Sequence, residues 1–359
     1  MSRKQMNKPL VSVVMVARNM QRFLPETIES VLGQTFTDFE FVIVDYGSTD
    51  NSRQVVENYA RSDARIRFQQ ILECSLVEAR NAACALAQGR YLAIQDADDL
   101  SLPDRLKLQV DFLESHTDFG MVGGIPEWVD LNGKSMWVAP FPTDEQEIKS
   151  ALLSHFPFCH TSLLIRKQAF DIVGGYRPVI TQSHDYDLAL RISEHFRCGN
   201  LPQVLVKYRI HPYQISLSKR NKQTLCKLAA QASAASRRAG QKDSLDSVRE
   251  VTPAALVAMG VSEAQQQSDL ASDYRSWIES MEASGEYAVA LKVTLEALRS
   301  GWSHTSHSEI AEFYFTASRL CWKEKRIFAS VFAACQALAR KPQMLRRFIG
   351  PMRSRLRFV

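Results

Sequence analysis

Tyr91-Leu-Ala-Ile-Gln-Asp96-Ala-Asp98-Asp99 is an apolar run that stops abruptly in three acids. Leu92, Ala93 and Ile94 have the composition of a buried strand. A strand that delivers Asp96, Asp98 and Asp99 at its carboxyl end puts negative charge where open α/β sheets bind ligands. Carboxylates that close repel one another and raise each other's pKa, so a cation or a donor-rich partner is expected among them. Hard oxygen ligands suit Mg or Mn, with the shell completed by water and a substrate's phosphates. The competing reading is a helix N-cap cluster ahead of Leu102-Pro103-Asp104, which accounts for one acid of the three.

On the N-terminal side the same grammar repeats. Leu10-Val-Ser-Val-Val-Met-Val16 is a β-branched run after Pro9, and it is followed by a helix with Pro25 and Glu26 in its first turn, ended by Gly33. Phe39 to Asp45 is a second strand closing on an acid; Gly47-Ser-Thr-Asp50 turns the chain into a helix that runs to about Ala60. A short strand at Ile66 to Gln69 and a helix from Leu76 to Gln88 lead into the acidic strand. Strand alternating with helix predicts an α/β fold with a mostly parallel sheet.

Beyond Pro103 an amphipathic helix (Leu106, Val110, Leu113) precedes a strand at Phe119 to Gly123. A hairpin turning at Asn132-Gly133 and a helix from Asp144 come next, then a strand at Ser162 to Arg166 and a helix at Lys167 to Val173. Ser183-His184-Asp185-Tyr-Asp187 opens a helix over Leu188 to Phe196, and Gln203 to Arg209 is the final strand. From Ser218 strand runs vanish and helical spacing takes over, so the expected division is 1–217, α/β, and 218–359, all α. Helix lengths there suit helical hairpins, but no repeat register emerges. Met344, Leu345, Phe348, Ile349, Met352 and Leu356 lie at helical spacing opposite Arg346, Arg347 and Arg353. This predicts a basic amphipathic tail, broken at Gly350-Pro351, whose partner is an anionic membrane surface or a neighbouring helix.

Composition bounds the function. The 359 residues are 45% hydrophobic and 23% charged, enough to bury a real core in one large or two ordinary domains. The net charge of +5 is mild, and Arg340 to Val359 holds seven Lys or Arg and no acid. A nucleic-acid binder would spread such an excess over one face of the fold, and none is expected as a partner. Seven scattered cysteines without a CxxC pair argue against a disulfide framework or a zinc site and fit a reducing cytoplasm. Leu10 to Ala17 is too short for a signal-peptide core with its cleavage site, and no apolar stretch reaches the ~20 residues of a membrane span. A cytoplasmic protein is expected, peripheral on the cytoplasmic face of the membrane if the tail binds lipid.

Seven motifs in order carry a resemblance: Val11-Ser-Val-Val-Met-Val-Ala-Arg-Asn19, Val44-Asp-Tyr-Gly-Ser-Thr-Asp50, Ala79-Arg-Asn81, Asp96-Ala-Asp98-Asp99, Pro103-Asp-Arg-Leu106, His184-Asp-Tyr-Asp187 and Arg209-Ile-His211. Over residues 9 to 217 the chain resembles family 2 glycosyltransferases, inverting enzymes of the Rossmann-like GT-A fold that use nucleotide-sugar donors. The resemblance implies that the backbone at Val16, Ala17 and Arg18 and the carboxylate of Asp45 line the nucleoside pocket. It implies that Arg80, Asp96 and Arg209 help hold a UDP- or dTDP-linked sugar. Asp98, with Asp99 beside it and His211 closing over the diphosphate, would hold Mn or Mg, and Asp185 would be the catalytic base. The acceptor would be a glycan or lipid-linked hydroxyl, with Trp137 and His184 as contacts; His155, His160 and Trp128 lie in the same region.

The chemistry suits those residue types. Charge builds on a leaving diphosphate as an oxocarbenium-like sugar departs, and a divalent ion neutralises it. One carboxylate on the opposite face must take the acceptor's proton, a contribution of ~10²–10⁴ in rate. Three positions depart from the family pattern. Tyr46 stands where many relatives carry a second acid, Val16 where Pro or Thr is common, and His184 where Glu often precedes the base. The alternatives are a catalytically degenerate sugar-nucleotide scaffold and a nucleotidyltransferase, the latter without a Gly-rich phosphate loop to support it.

Overall fold

The protein is described here from a computed structural model covering residues 8–138, 140–211, 219–283, 285–300 and 306–347. The chain divides into two compact units, Met1–Gln214 with Cys226–Val251, and Ile215–Leu225 with Thr252–Val359. The first unit therefore continues past residue 217 and takes in a helical stretch that composition alone groups with the C-terminal part.

Four strands, β1 (Val11–Ala17), β2 (Phe39–Asp45), β3 (Ile66–Gln70) and β4 (Tyr91–Asp96), form a parallel block in the order β3-β2-β1-β4. The helices between them are α1 (Leu24–Leu32), α2 (Ser52–Ser62) and α3 (Leu76–Leu86). Alternation along each strand sorts its side chains to opposite faces. Val11, Val13 and Met15 pack with α1, α2 and α4 (Arg105–Ser115), while Val14, Val42, Val44, Leu92 and Ile94 face α3 and the later helices. Covered on both sides, the strands read as continuous apolar runs, as a buried parallel sheet requires.

The rest of the sheet is mixed. β5 (Leu100–Ser101), β6 (Phe119–Val129), β7 (Ser135–Val138), β8 (Leu164–Arg166) and β9 (Arg197–Arg209) extend it in the order β4-β8-β6-β9-β5, with β7 paired to β6. β8 runs antiparallel to both β4 and β6, and β6 pairs in parallel with β9. Both β6 and β9 are longer than their apolar cores suggest. β6 passes through Pro126 because the pairing slips between Gly124 and Pro126, which removes the need for a ladder donor there. Gly133 turns the β6–β7 hairpin at φ +79°, where a side chain would be strained. Between the later strands lie α5 (Glu145–Ala151), α6 (Lys167–Ile172) and α7 (His184–Ser193). α7 begins at His184, a turn earlier than its apolar spacing, which places Asp185 and Asp187 inside its first turn.

α8 (Arg220–Arg238) contributes Ala230 and Ala234 to the first unit's core. In the second unit α9 (Pro253–Ala258), α10 (Glu263–Ala283), α11 (Tyr287–Arg299), α12 (His307–Lys323) and α13 (Ile327–Arg340) follow one another, and from α10 onward each packs on the next. No helix among the described residues is long and apolar enough to cross a membrane. Of the predicted basic tail only the part up to Arg347 lies within the described residues, with Met344 buried and Leu345 half exposed, and the rest of its amphipathic face falls outside them.

Candidate active site

The parallel block brings the predicted nucleoside residues to one edge. Val16 pairs with both Val44 and Asp96, and Ala17 with Asp45, so three strand ends meet in register. Asp45 is completely buried. One of its oxygens accepts the Gly47 and Ser48 N–H groups at 3.2 and 3.1 Å, and the other has no partner within the described chain. Tyr46 donates its N–H to the Ala17 carbonyl, and the Arg18 guanidinium lies 5.8 Å from the Tyr46 ring centroid. The position where relatives carry a second acid is thus an aromatic face stacked under a cation.

Asp96 is clamped. α3 starts at a capping box made by Ser75 and Glu78, which sets Arg80 in its second turn. Arg80 Nη2 donates to one Asp96 oxygen at 2.8 Å, and His160 Nδ1 sits 2.9 Å from the other. Asp96 N–H donates to Thr161 Oγ1. Burial pushes the Asp96 carboxyl up, but the charges of His160 and Arg80 and their hydrogen bonds outweigh it and hold it well below the usual carboxylate range. Tyr176 closes the cluster, its hydroxyl 3.4 Å from His160 Nε2, and it is pinned to α3 by a reciprocal pair of bonds with Asn81.

The three acids of the opening motif have three different fates. Asp98 meets His211, carboxylate to Nε2, at 2.9 Å, and the His211 ring stacks on Phe23. Asp99 is turned into the interior, where its carboxylate accepts the Arg209 N–H at 2.8 Å. Burial first, then the charges of Asp98 and Asp96, push the Asp99 carboxyl well above the usual range. Arg209 is likewise buried, donating to the Asp98 carbonyl, the Leu131 carbonyl and Glu26. Its guanidinium shapes the loop that carries Asp98 instead of standing open to a phosphate.

Behind that loop is a polar support the sequence motifs contain but do not interpret. Gln95 donates to the Asp96 and Asp99 carbonyls, and Arg105, fully buried, donates to Gln95, Ser101 and the carbonyls of Ile94 and Leu163. Burial pulls Arg105 down to about 10. The resemblance puts His160 in the acceptor region, and nothing in the sequence says that it meets Asp96.

Asp185 and Asp187 separate cleanly. Asp187 is fully buried, and both its oxygens are engaged by Arg177 and Arg191. Asp185 is half-buried and, among the described residues, its carboxylate accepts only the Tyr186 N–H. Burial works against the Arg80 charge, but Asp96, Tyr176 and Asp185, in that order, raise it, so Asp185 acts on the same guanidinium that grips Asp96. His184 points into the interior, edge-on to Tyr176 and His160 at 5.3 and 6.1 Å. Burial, then the Arg80 and His160 charges, push it well below the ordinary imidazole value. Trp137 stacks on Trp128 at 4.9 Å, and Trp128 leans on Tyr208. His155 caps no element and bonds Ser154 at an exposed position.

The family model for glycosyl transferase family 2 matches residues 12–173. An uncharacterized glycosyltransferase of Methanocaldococcus jannaschii is 32% identical over 226 residues, 62% of this chain and 78% of the relative. The chain belongs to glycosyl transferase family 2. The O-antigen biosynthesis glycosyltransferase WbnJ of Escherichia coli shares 30% over 206 residues, 56% of this glycosyltransferase and 80% of that one. The mannosyltransferase PcManGT of Pyrobaculum calidifontis, solved with GDP-Man and Mn2+, aligns with a TM-score of 0.51 and 16% identity over 93% of this chain and 88% of its own. That likeness bears on the fold alone, and the fold is GT-A, with a helical C-terminal region.

A divalent ion fits the donor set in a restricted way. Among the described residues no group of three His, Cys, Asp or Glu side chains converges closely enough to hold an ion. Asp98 and His211 supply one carboxylate and one imidazole side by side. That pair suits a cation whose remaining ligands come from a substrate's phosphates and water.

Proposed function

We propose that this glycosyltransferase moves a sugar from a nucleoside-diphosphate donor to a hydroxyl of a glycan or lipid-linked acceptor, with inversion, in surface polysaccharide synthesis. The observation that carries the reading is the contrast at the start of α7. Asp187 is consumed by two arginines, while the Asp185 carboxylate is left with one main-chain donor among the described residues. A general base must be reachable and not already paired, and Asp185 meets those terms. It takes the acceptor proton as the new glycosidic bond forms and the old one to the phosphate breaks. Asp98 and His211 hold Mn or Mg, which when bound neutralises charge on the departing diphosphate. Arg80 and Asp96 orient the donor through their shared clamp.

The orphaned Asp45 oxygen supports a base with an imide N–H, as uracil and thymine have, because that donor satisfies a buried acceptor. The polysaccharide clause rests on the O-antigen enzyme of E. coli, and the involvement of a divalent ion on Asp98 and His211. Seven free cysteines support a reducing, cytoplasmic setting.

The test pairs two variants. Nucleotide sugars are screened for thermal stabilisation with and without Mn, and the best donor is carried into turnover assays. Asp98→Ala is expected to lose Mn-dependent donor binding. Asp185→Ala is expected to bind donor normally and lose turnover. Normal binding and normal turnover in both variants would place the chemistry elsewhere.

A further inference from the structure

In the helical unit, α13 (Ile327–Arg340) is apolar on both sides. Ser330, Ala333 and Ala337 are buried, and Ser330 Oγ donates to the Ser318 carbonyl of α12. On the other side Phe328 is 93% exposed, Phe332 63%, and Ile327 and Val331 56% each. With Cys335 and Ala339 these positions cover an arc of roughly 140° at the helical repeat. No charged residue occurs from Ile327 to Ala339. A solvent-facing helix ordinarily carries its polar side there, and large exposed apolar patches mark surfaces that are covered in use.

The charge around this face selects its cover. The turn before α13 holds Lys325 and Arg326 with one acid, Glu324, after Lys323 at the end of α12, and Trp322 beside it is 64% exposed. From Arg326 to Val359 the sequence has eight Lys or Arg and no acid. A second copy docked face to face would bring these like charges together, with Glu324 and Glu312, the latter already paired to Lys341 and Arg347, too few to offset them. An anionic bilayer takes both features at once, the rings below the headgroups and the cations among them. We propose that the outward face of α13 is a docking surface for anionic lipid, with Phe328 and Phe332 as its inserted residues. This surface is independent of the donor chemistry, so the Asp185→Ala variant still binds lipid.

The test is flotation of the full chain with vesicles of phosphatidylcholine alone and with a phosphatidylglycerol fraction. Binding is expected only to the anionic vesicles and is expected to weaken with salt. Phe328→Ser with Phe332→Ser is expected to lower vesicle affinity by about a thousandfold, since each of the two buried Phe contributes about 2 kcal/mol. Both rings are exposed, so the melting temperature should hold, and Lys325→Glu with Arg326→Glu should weaken binding with the rings intact. Undiminished binding by the double Phe variant would overturn the assignment. So would sedimentation showing a dimer that the same substitutions dissociate, without vesicle binding, which would make the face a contact between copies.

Discussion

Replacing Asp187 by Asn keeps the shape of the side chain and removes its charge, which tests the division of labour in α7. Asp187 is fully buried and is held by Arg177 Nε at 3.0 Å and Arg191 Nη2 at 2.8 Å. Removing one partner of a buried ion network costs about 3–5 kcal/mol, because the remaining charge stays desolvated. Arg177 keeps Asp243 at 2.8 Å, and Arg191 keeps the Val173 and Gly175 carbonyls, so the lower end, about 3 kcal/mol, is expected. For a unit of this size that is a fall in Tm of roughly 6–12 °C, read by circular dichroism. Asp185→Asn, at a half-buried site without an ion pair, should move Tm by no more than about 1 °C while lowering kcat by about 10²–10⁴. Well below its melting point Asp187→Asn should still turn over. If Asp187→Asn melted normally and was inactive, and Asp185→Asn was unfolded and active, the roles of the two acids would be reversed.

Two further outcomes follow from local geometry. His184 is neutral in the fold because burial and the neighbouring cations lower its pKa, while the unfolded chain protonates near pH 6.5. The unfolded state therefore binds the extra proton, and stability should fall by about 1.4 kcal/mol per pH unit as pH drops below about 6.5; urea titrations of His184→Gln should show a shallower slope. A Cβ at Gly89 would lie 2.6 Å from the Ser12 nitrogen and 2.7 Å from the Val11 carbonyl carbon, both backbone. Gly89→Ala must displace β1 and should cost about 1–3 kcal/mol in chemical denaturation, and an unchanged midpoint would show that the β4 approach tolerates the methyl.

The strands that build the site were legible because burial on both faces writes itself as uninterrupted Val, Ile and Leu. Their acids were legible for a related reason, since a charge ending such a run has few places to go but the sheet edge. Orientation was not. Asp98 and Asp99 are neighbours, and only the folded loop decides that one meets His211 while the other turns inward to the Arg209 amide. Asp185 and Asp187 lie about 200° apart around a helix, so one faces the core, but the spacing does not say which. His160 and Asp96 are 64 positions apart, and local sequence holds no trace of a contact at that range. Arg105 stood in the sequence only as part of Pro103-Asp-Arg-Leu106; a buried arginine needs partners, and two of its own are the Ile94 and Leu163 carbonyls, which sequence does not display.

Arg209 has a consequence for biosynthesis. Its side chain fastens Glu26, the carbonyl of Asp98 and the carbonyl of Leu131 together, and the first of these lies 183 positions upstream. A growing polypeptide that has delivered its first four strands can lay down a sheet and the Gln95 bonds behind the Asp98 loop, yet the Arg209 fastening waits until the ninth strand clears the ribosome. The Asp98 loop thereby reaches its final form only after β9 is made, and a chain stalled before Arg209 emerges would hold a sheet with that loop unfinished.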